Sequence, residues 1–425
     1  MRDEAPSDAW LRHITGWPFL HARPSKLAVA VSGGGDSMAC LDLMLWHGAE
    51  RGFPVEAVTV DHGLRAEAAD EIALVAGFCA GKGVPHSVVR WDWEGSGNLQ
   101  AEARAARYGL IAEWARGRGV DCVALGHTRD DVAETFLMRL ARRAGVDGLS
   151  GMERTFTRDG VRWIRPMLAH GRGDWRAYLT RHGVPWAEDA SNADAAFERV
   201  RARKVLAALA PLGIDADVLA DVAHNMAMAR SALDHVLLET ADRYVEEDRG
   251  DLILPDEHPE SGRMIPHEIM FRLRREAIRW VGGAVYAPRS DAMTELDIAI
   301  GRGKTHTLGG CVFTRSKGRR SHGARWRIAR EYNAVKDVRG PTDAPWDGRW
   351  TIEGPHAPDL DVRALGAAVK DTPWRETGMP RASVMASPAV WRGGELIAAP
   401  VAGLENGWRA SATGRGTFAE FLLSR

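Results

Sequence analysis

The chain has 425 residues, of which 45% are hydrophobic and 27% charged, with 56 basic residues against 57 acidic ones. At roughly 150 residues per domain this length predicts two to three domains, each able to bury a core without covalent staples. The near-neutral balance excludes a global basic field, so any nucleic-acid surface has to be local.

In chain order, LAVAV (27–31) reads as a buried strand and 37–50 as a helix. VEAVTV (55–60) is a second strand, followed by a helix over 66–82. PHSVVRW (85–91) is a third strand, and a long Ala/Arg-rich helix covers 98–118. VDCVAL (120–125) is a fourth strand, with a helix over 130–143. Strands alternating with helices of this length predict βαβ units, hence an α/β fold with a Rossmann-like parallel sheet covered on both faces. Ligands of such sheets sit beyond the carboxyl ends of the strands. Three polar segments fall there: SGGGDS after strand one, DHGLR after strand two and GHTRDD after strand four.

The pattern changes near Pro211-Leu212-Gly213. From 215 to about 282 the chain reads as helical, and 283–332 is Gly-rich and then basic. Residues 340–425 combine Gly, Pro and Trp with short apolar runs, the pattern of a small β-rich module. The predicted domains are 1–213, 214–335 (helical and basic) and 336–425, with no internal repeat.

Ser32-Gly33-Gly34-Gly35-Asp36-Ser37 follows a strand and opens a helix. Its glycines permit positive φ and close backbone approach to an anion. The helix start supplies unpaired N–H groups and a favourable dipole. Asp36 would repel bare phosphate, which makes sense beside Mg²⁺. The plainer alternative is a glycine-rich turn with an Asp/Ser cap. A Walker A loop is excluded, because its only lookalike, Gly303-Lys304-Thr305, has Ile298 where the first glycine belongs. A dinucleotide fingerprint would need Gly at Met38, and a nucleophile elbow on Ser32 would need Gly at Ala30.

SGGGDS after a first strand resembles the PP-loop of the ATP pyrophosphatases. From there the chain is similar to the tRNA(Ile)-lysidine synthase family. The similarity rests on Asp61-His62-Gly63-Leu64-Arg65, on Asn98 through Tyr108, on Gly126-His127-Thr128-Arg129-Asp130-Asp131 through Thr135, on Trp186-Ala187-Glu188-Asp189 and on Ser191-Asn192-Ala193-Asp194. It is dense over 26–213 and looser at 302–313. One departure is Val200, which stands where the family usually has asparagine within Arg199-Val200-Arg201-Ala202-Arg203.

The resemblance implies a ligase that adenylates the C2 oxygen of the wobble cytidine in a CAU-anticodon isoleucine tRNA. The ε-amine of L-lysine then attacks C2 and AMP leaves. It implies ATP on Ser32, Gly33, Gly34, Gly35, Asp36, Ser37 and Arg104, with Mg²⁺ on Asp36 and Asp130. His127 is either a capped, buried imidazole or a ligand to phosphate. Thr128 can cap the helix starting near Arg129, with Asp131 three residues on. Asp130, Asp131 and Glu134 are therefore either acids at a helix start or a cation site. Asp131 and Glu134 share one face at i and i+3, and the resemblance implies that they bind the lysine. Arg199, Arg201, Arg203 and Lys204 form a basic cluster suited to the tRNA, and Arg139, Arg142 and Arg143 form another. Nine Lys/Arg without an acid over 301–330 (Arg302, Lys304, Arg315, Lys317, Arg319, Arg320, Arg325, Arg327 and Arg330) suit phosphate backbones or make a solvated loop.

Two rivals differ in class: a tRNA thiolase of the same superfamily, and a non-catalytic RNA-binding protein with a nucleotide fold. Thiolases depend on poised cysteines, often as Cys-x-x-Cys. Here Cys40, Cys79, Cys122 and Cys311 lie far apart, which also disfavours a zinc ribbon or a disulfide framework. The start, MRDEAPSDAW, lacks an apolar signal region, and no apolar run spans a bilayer. A soluble cytoplasmic protein without membrane association is expected. Oligomeric state is left open, a homodimer being one option.

Overall fold

The computed structural model describes residues 7–19, 22–63, 68–91, 99–188, 198–255, 263–284, 286–316, 325–412 and 416–424, with backbone only for 99–105. The chain divides into two compact units, Met1–Arg230 and Ser231–Arg425.

In the first unit the predicted apolar runs become the centre of a six-stranded sheet. Strand β1 (Leu27–Ala30) lies between β2 (Val55–Asp61) and β4 (Cys122–Leu125), parallel to both. Strand β3 (His86–Arg90) pairs beyond β2, and β6 (Val161–Ile164) beyond β4, again in parallel. An antiparallel edge strand, β5 (Thr155–Arg158), completes the order β3-β2-β1-β4-β6-β5. The order reverses direction at β1, so a crevice opens between the loops after β1 and β4.

Successive β1 residues face opposite layers, and both are dry. Leu27 and Val29 join Leu41, Trp175 and Tyr178 on one side. Ala28 joins Val58, Ile111, Val123 and Trp163 on the other. Burial on both faces is why the strand reads as a continuous apolar run instead of alternating. The helices of this unit are α1 (Asp8–Thr15), α2 (Gly35–Arg51), α3 (Ala68–Lys82), α4 (Leu99–Gly117), α5 (Arg129–Ala141), α6 (Val146–Leu149), α7 (Arg172–His182) and α8 (Glu198–Leu209). A third cluster joins Val132 and Phe136 of α5 to Leu168, Leu219 and Ala223.

Helix α9 (Ala216–Tyr244) leads into the second unit. The helical reading of 215–282 is interrupted there by β7 (Glu246–Asp248) and β8 (Asp251–Pro255) before α10 (His267–Gly282). All five residues of β8 are buried. A short run without alternation carries no period to tell strand from helix, and pairing with a distant strand decides it. With α11 (Ser290–Gly301), β9 (His306–Leu308), β10 (Cys311–Ser316) and β11 (Arg325–Arg330), the five strands form an antiparallel sheet in the order β7-β8-β11-β10-β9.

The expected C-terminal β-rich module follows. After α12 (Tyr332–Val335) come β12 (Arg339–Pro341), β13 (Thr351–Glu353), β14 (Leu360–Ala364), α13 (Arg381–Met385), β15 (Pro388–Arg392), β16 (Glu395–Ala398), β17 (Arg409–Ser411) and α14 (Phe418–Leu423). Its four-stranded sheet β12-β14-β15-β16 and the β13/β17 pair share a core of Trp346, Trp350, Val362, Val390 and Trp408. Among the described residues no helix is long and apolar enough to cross a membrane.

Candidate active site

Helix α2 begins at the loop with Gly34 as its N-cap, and no side chain among the described residues caps it. The Gly35 and Asp36 N–H groups, ahead of those of Ser37 and Met38 that bond the Gly34 carbonyl, are placed for an anion. The Ser37 hydroxyl closes the loop: it accepts from the Ser32 N–H at 3.1 Å and donates to the Gly34 carbonyl at 2.8 Å. Gly33 has φ +85°, a conformation that glycine adopts without penalty. A Cβ on Gly126 would lie 2.6 Å from the Asp36 carbonyl oxygen, so the end of β4 touches the start of α2 backbone to backbone. The Ala187 N–H donates to the Gly33 carbonyl at 2.9 Å. That contact brings the Trp186-Ala187 segment to the loop edge.

A cavity opens over the carboxyl ends of β1, β2 and β4, lined by Val31, Ser32, Val58, Tyr108, Leu125 and His127 among others. Its walls mix apolar side chains with the polar groups of Ser32, Ser37, Arg107 and His127. His127 Nδ1 accepts from Arg165 Nε at 3.2 Å.

Beside the loop the acids of α5 converge with arginines from two other helices. Asp131 is buried, and its carboxylate accepts from the backbone N–H and hydroxyl of Thr128 at 2.9 and 3.1 Å, the predicted cap. Its other oxygen takes Arg199 at 2.9 Å. Glu134, 1% exposed, takes Arg203 Nε at 2.7 Å through Oε1, while its Oε2 has no hydrogen-bond partner among the described residues. Arg199 and Arg203 are one turn apart on α8, matching the i, i+3 acids on α5. Arg201, between them in sequence, is exposed. Val200, at the family's asparagine position, is buried.

The residue that gathers the site is one that sequence reasoning missed. Arg172, the first residue of α7, places Nε 2.9 Å from Asp36 and its terminal nitrogens 3.4 Å from Glu134 and 3.8 Å from Asp131. Its backbone N–H donates to Asp130 at 2.6 Å. Burial pushes its pKa down, but Asp36, Asp131 and Glu134 outweigh that and raise it. A signal existed, since a cation in the first turn of a helix opposes the dipole and so needs acids elsewhere to hold it. Asp36 is pushed up, first by burial and also by Asp130 and Asp131, with Arg172 opposing. For Asp131 burial also pushes upward, yet the surrounding positive charge and the Thr128 N–H leave it lowered.

The structure therefore brings together Ser32, Gly33, Gly34, Gly35, Asp36, Ser37, His127, Asp130, Asp131, Glu134, Arg199 and Arg203. Arg104 lies on α4, its side chain outside the described residues. So do Leu64, Arg65, Asp189 and the Ser191–Asp194 motif.

The basic segments look different once folded. Of the 301–330 run, Arg325 and Arg327 are buried against Glu246, Asp248 and Asp251 at 2.7–2.8 Å. Arg330 pairs with Asp347 at 2.9 Å. Arg315 is exposed, while Lys317, Arg319 and Arg320 fall outside the described residues. Arg139 donates to the carbonyls of Gly148 and Gly151, and Arg142 to Glu198. Trp163, Trp175, Trp280, Trp326, Trp346, Trp350 and Trp408 are packing residues. All four cysteines are buried. Burial pushes the Cys79 and Cys122 thiols up to about 11 and Cys40 further still.

Residues 12–209 match the PP-loop domain family, and the enzyme uses ATP. A tRNA(Ile)-lysidine synthase of Ruegeria pomeroyi is 47% identical over 415 residues, 96% of both chains. One from Bradyrhizobium diazoefficiens is 41% identical over 268 residues, 60% of this chain and 73% of that one. One from Zymomonas mobilis is 36% identical over 284 residues, 66% of this chain and 82% of that one. With the loop, the α5 acids and the α8 arginines assembled at one crevice, identity of this extent shows that the chain belongs to the tRNA(Ile)-lysidine synthase family of PP-loop enzymes.

Proposed function

We propose that this enzyme joins L-lysine to C2 of the wobble cytidine in a CAU-anticodon isoleucine tRNA, through an adenylated tRNA, releasing pyrophosphate and AMP. The observation that carries the reading is the gathering of Asp36, Asp131 and Glu134 on one guanidinium beside an uncapped helix start. Such a crevice suits a polyanion on one side and a cation on the other.

In this reading the Ser32–Ser37 loop and the first turn of α2 receive the phosphates of ATP. The cavity beside it, lined by both apolar and polar side chains, takes a nucleobase. Hydrogen-bond donors beside the phosphates stabilise the charge that builds as the C2 oxygen attacks. Adenylation turns a poor leaving oxygen into a good one. Glu134 Oε2, buried and without a hydrogen-bond partner among the described residues, supplies an acceptor for the lysine ammonium, with Asp131 beside it, and a carboxylate there can take the proton that the attacking amine must lose. Arg199, Arg201 and Arg203 are assigned to the substrate side. Residues 1–213, 214–335 and 336–425 are assigned as catalytic, tRNA-binding and C-terminal parts.

The donor set fits Mg²⁺. Asp36 and Asp130 offer hard oxygens, and Asp130 and Asp131 push Asp36 upward, a repulsion that a divalent cation relieves. Among the described residues no group of three or more candidate ligands forms a cage. That suits a cation bound through one or two carboxylates, waters and substrate phosphates. When bound, Mg²⁺ supplies charge neutralisation at the phosphates.

Incubation with ATP and isoleucine tRNA should release pyrophosphate without lysine, and adding lysine should then yield AMP and lysidine. Exchange that required sulfide or a persulfide donor would favour the thiolase instead. The raised, buried thiols weigh against that rival.

A further inference from the structure

The bond between Arg165 and His127 constrains the imidazole more tightly than its burial does. A guanidinium has donors only and stays charged. The nitrogen it meets, His127 Nδ1 at 3.2 Å, must present a lone pair. In the neutral ring the hydrogen then sits on Nε2.

Arg165 is itself held from several sides. It follows β6 directly and is 8% exposed. One terminal nitrogen donates to the Glu153 carbonyl at 2.5 Å, and its backbone N–H donates to the Arg154 carbonyl at 2.8 Å. Its guanidinium carbon lies 4.4 Å from the centre of the Phe156 ring. The donor is therefore fixed before any ligand arrives. His127 lines the same cavity as Ser32 and Ser37.

We propose that Arg165 is a positioning residue which holds His127 as the Nε2–H tautomer, so that the ring donates a hydrogen bond to a phosphate oxygen of the bound nucleotide. The inference rests on the reading of the crevice as the ATP site. The opposite tautomer would turn a lone pair toward an anion. Asp131 favours a charged imidazole, and Arg165 opposes one by like charge and by occupying Nδ1.

The test labels histidine with ¹⁵N in the full chain and reads long-range ¹H–¹⁵N correlations, with His127 assigned by its loss in His127→Gln. The expected spectrum shows a bare Nδ1 and a protonated Nε2, and Arg165→Met should mix the tautomers. At saturating ATP that variant should slow pyrophosphate release by at least about tenfold, in keeping with a weakened donor at a developing charge, with the KM for lysine unchanged. Arg165→Lys, which keeps a cationic donor, should recover part of the rate and of the ring signature. In His127→Gln the side-chain amide can donate from near the Nε2 position whatever the tautomer. Adding Arg165→Met to it should therefore cost much less than in the parent. A parent ring protonated on Nδ1, or on both nitrogens, overturns the proposal, as does an equal cost of Arg165→Met in both backgrounds. A chain that formed no lysidine would fail the proposed function while the spectrum still decided the tautomer.

Discussion

Gly126 is where the sheet meets the phosphate loop, and replacing it with alanine tests how tightly that junction is built. The new Cβ would stand 2.6 Å from the Asp36 carbonyl oxygen, 2.9 Å from its carbonyl carbon and 3.0 Å from the Ser37 Cα. All three are backbone atoms of the first turn of α2, so no flexible side chain can yield. Ordinary contact begins at 3.4 Å, so strand and helix must separate by roughly 0.8 Å. Overpacking of this kind costs about 1–3 kcal/mol. A shift approaching 1 Å between phosphate loop and reacting groups costs on the order of 100-fold in rate. Gly126→Ala should therefore lower the unfolding free energy by that amount in urea titration and slow ATP–pyrophosphate exchange with tRNA about 100-fold. Gly35→Ala is the control within the loop. Its Cβ would meet Leu179 and Trp186 at 3.6 Å, an ordinary contact, with no positive φ. It should fold at least as stably as the parent. A Gly126→Ala chain with parental stability and exchange, or a Gly35→Ala chain equally destabilised, would refute the packing argument.

Asp36→Ala should abolish adenylation while the chain still unfolds cooperatively, and normal adenylated-tRNA formation would remove the metal role from Asp36. Glu134→Gln should raise the KM for lysine by ten- to a hundredfold or more, from a loss of about 1.5–3 kcal/mol in a charge-assisted contact, and should affect lysine-independent pyrophosphate release less. Equal loss of both half-reactions would move Glu134 to the phosphate side. His47 is fully buried, its Nε2 2.9 Å from the Thr15 hydroxyl, and burial with Arg51 and Arg12 lowers it to about 4. Its folded pKa lies below the unfolded value of about 6.5, so on acidification the unfolded chain takes up the proton first. Stability should fall by about 3 kcal/mol as pH drops from about 6.5 to 4. His47→Gln should flatten that part of the curve, and an unchanged slope would assign the acid sensitivity to other groups.

The sheet and loop were legible because local physics determines them. Mostly apolar runs without strict alternation at 27–31, 55–60 and 120–125 call for burial on both faces, which parallel strands under helices provide. Ser32–Ser37 follows the first of these runs, so its place at the crevice comes with the strand. The Thr128/Asp131 cap is equally local, its two partners lying three residues apart.

What escaped depends on residues distant in the chain. Arg172 lies 136 positions from Asp36 and 38 from Glu134, and nothing around its own position says which acids it will meet. Arg165 and His127, 38 apart, meet only because β4 and β6 are sheet neighbours. The 301–330 run contains no acid of its own, yet Glu246, Asp248 and Asp251 neutralise Arg325 and Arg327 once β11 pairs with β8 and the β7/β8 hairpin comes alongside. Strand β8 itself was hidden in a helical reading, since five buried residues carry no period of either kind. The sequence by itself determined which segments are strands, helix starts and phosphate-facing turns, because steric preference and burial act over a few residues. Only the tertiary structure decided which charges neutralise one another, because Coulomb pairing depends on separation in space, and that is set by strand order.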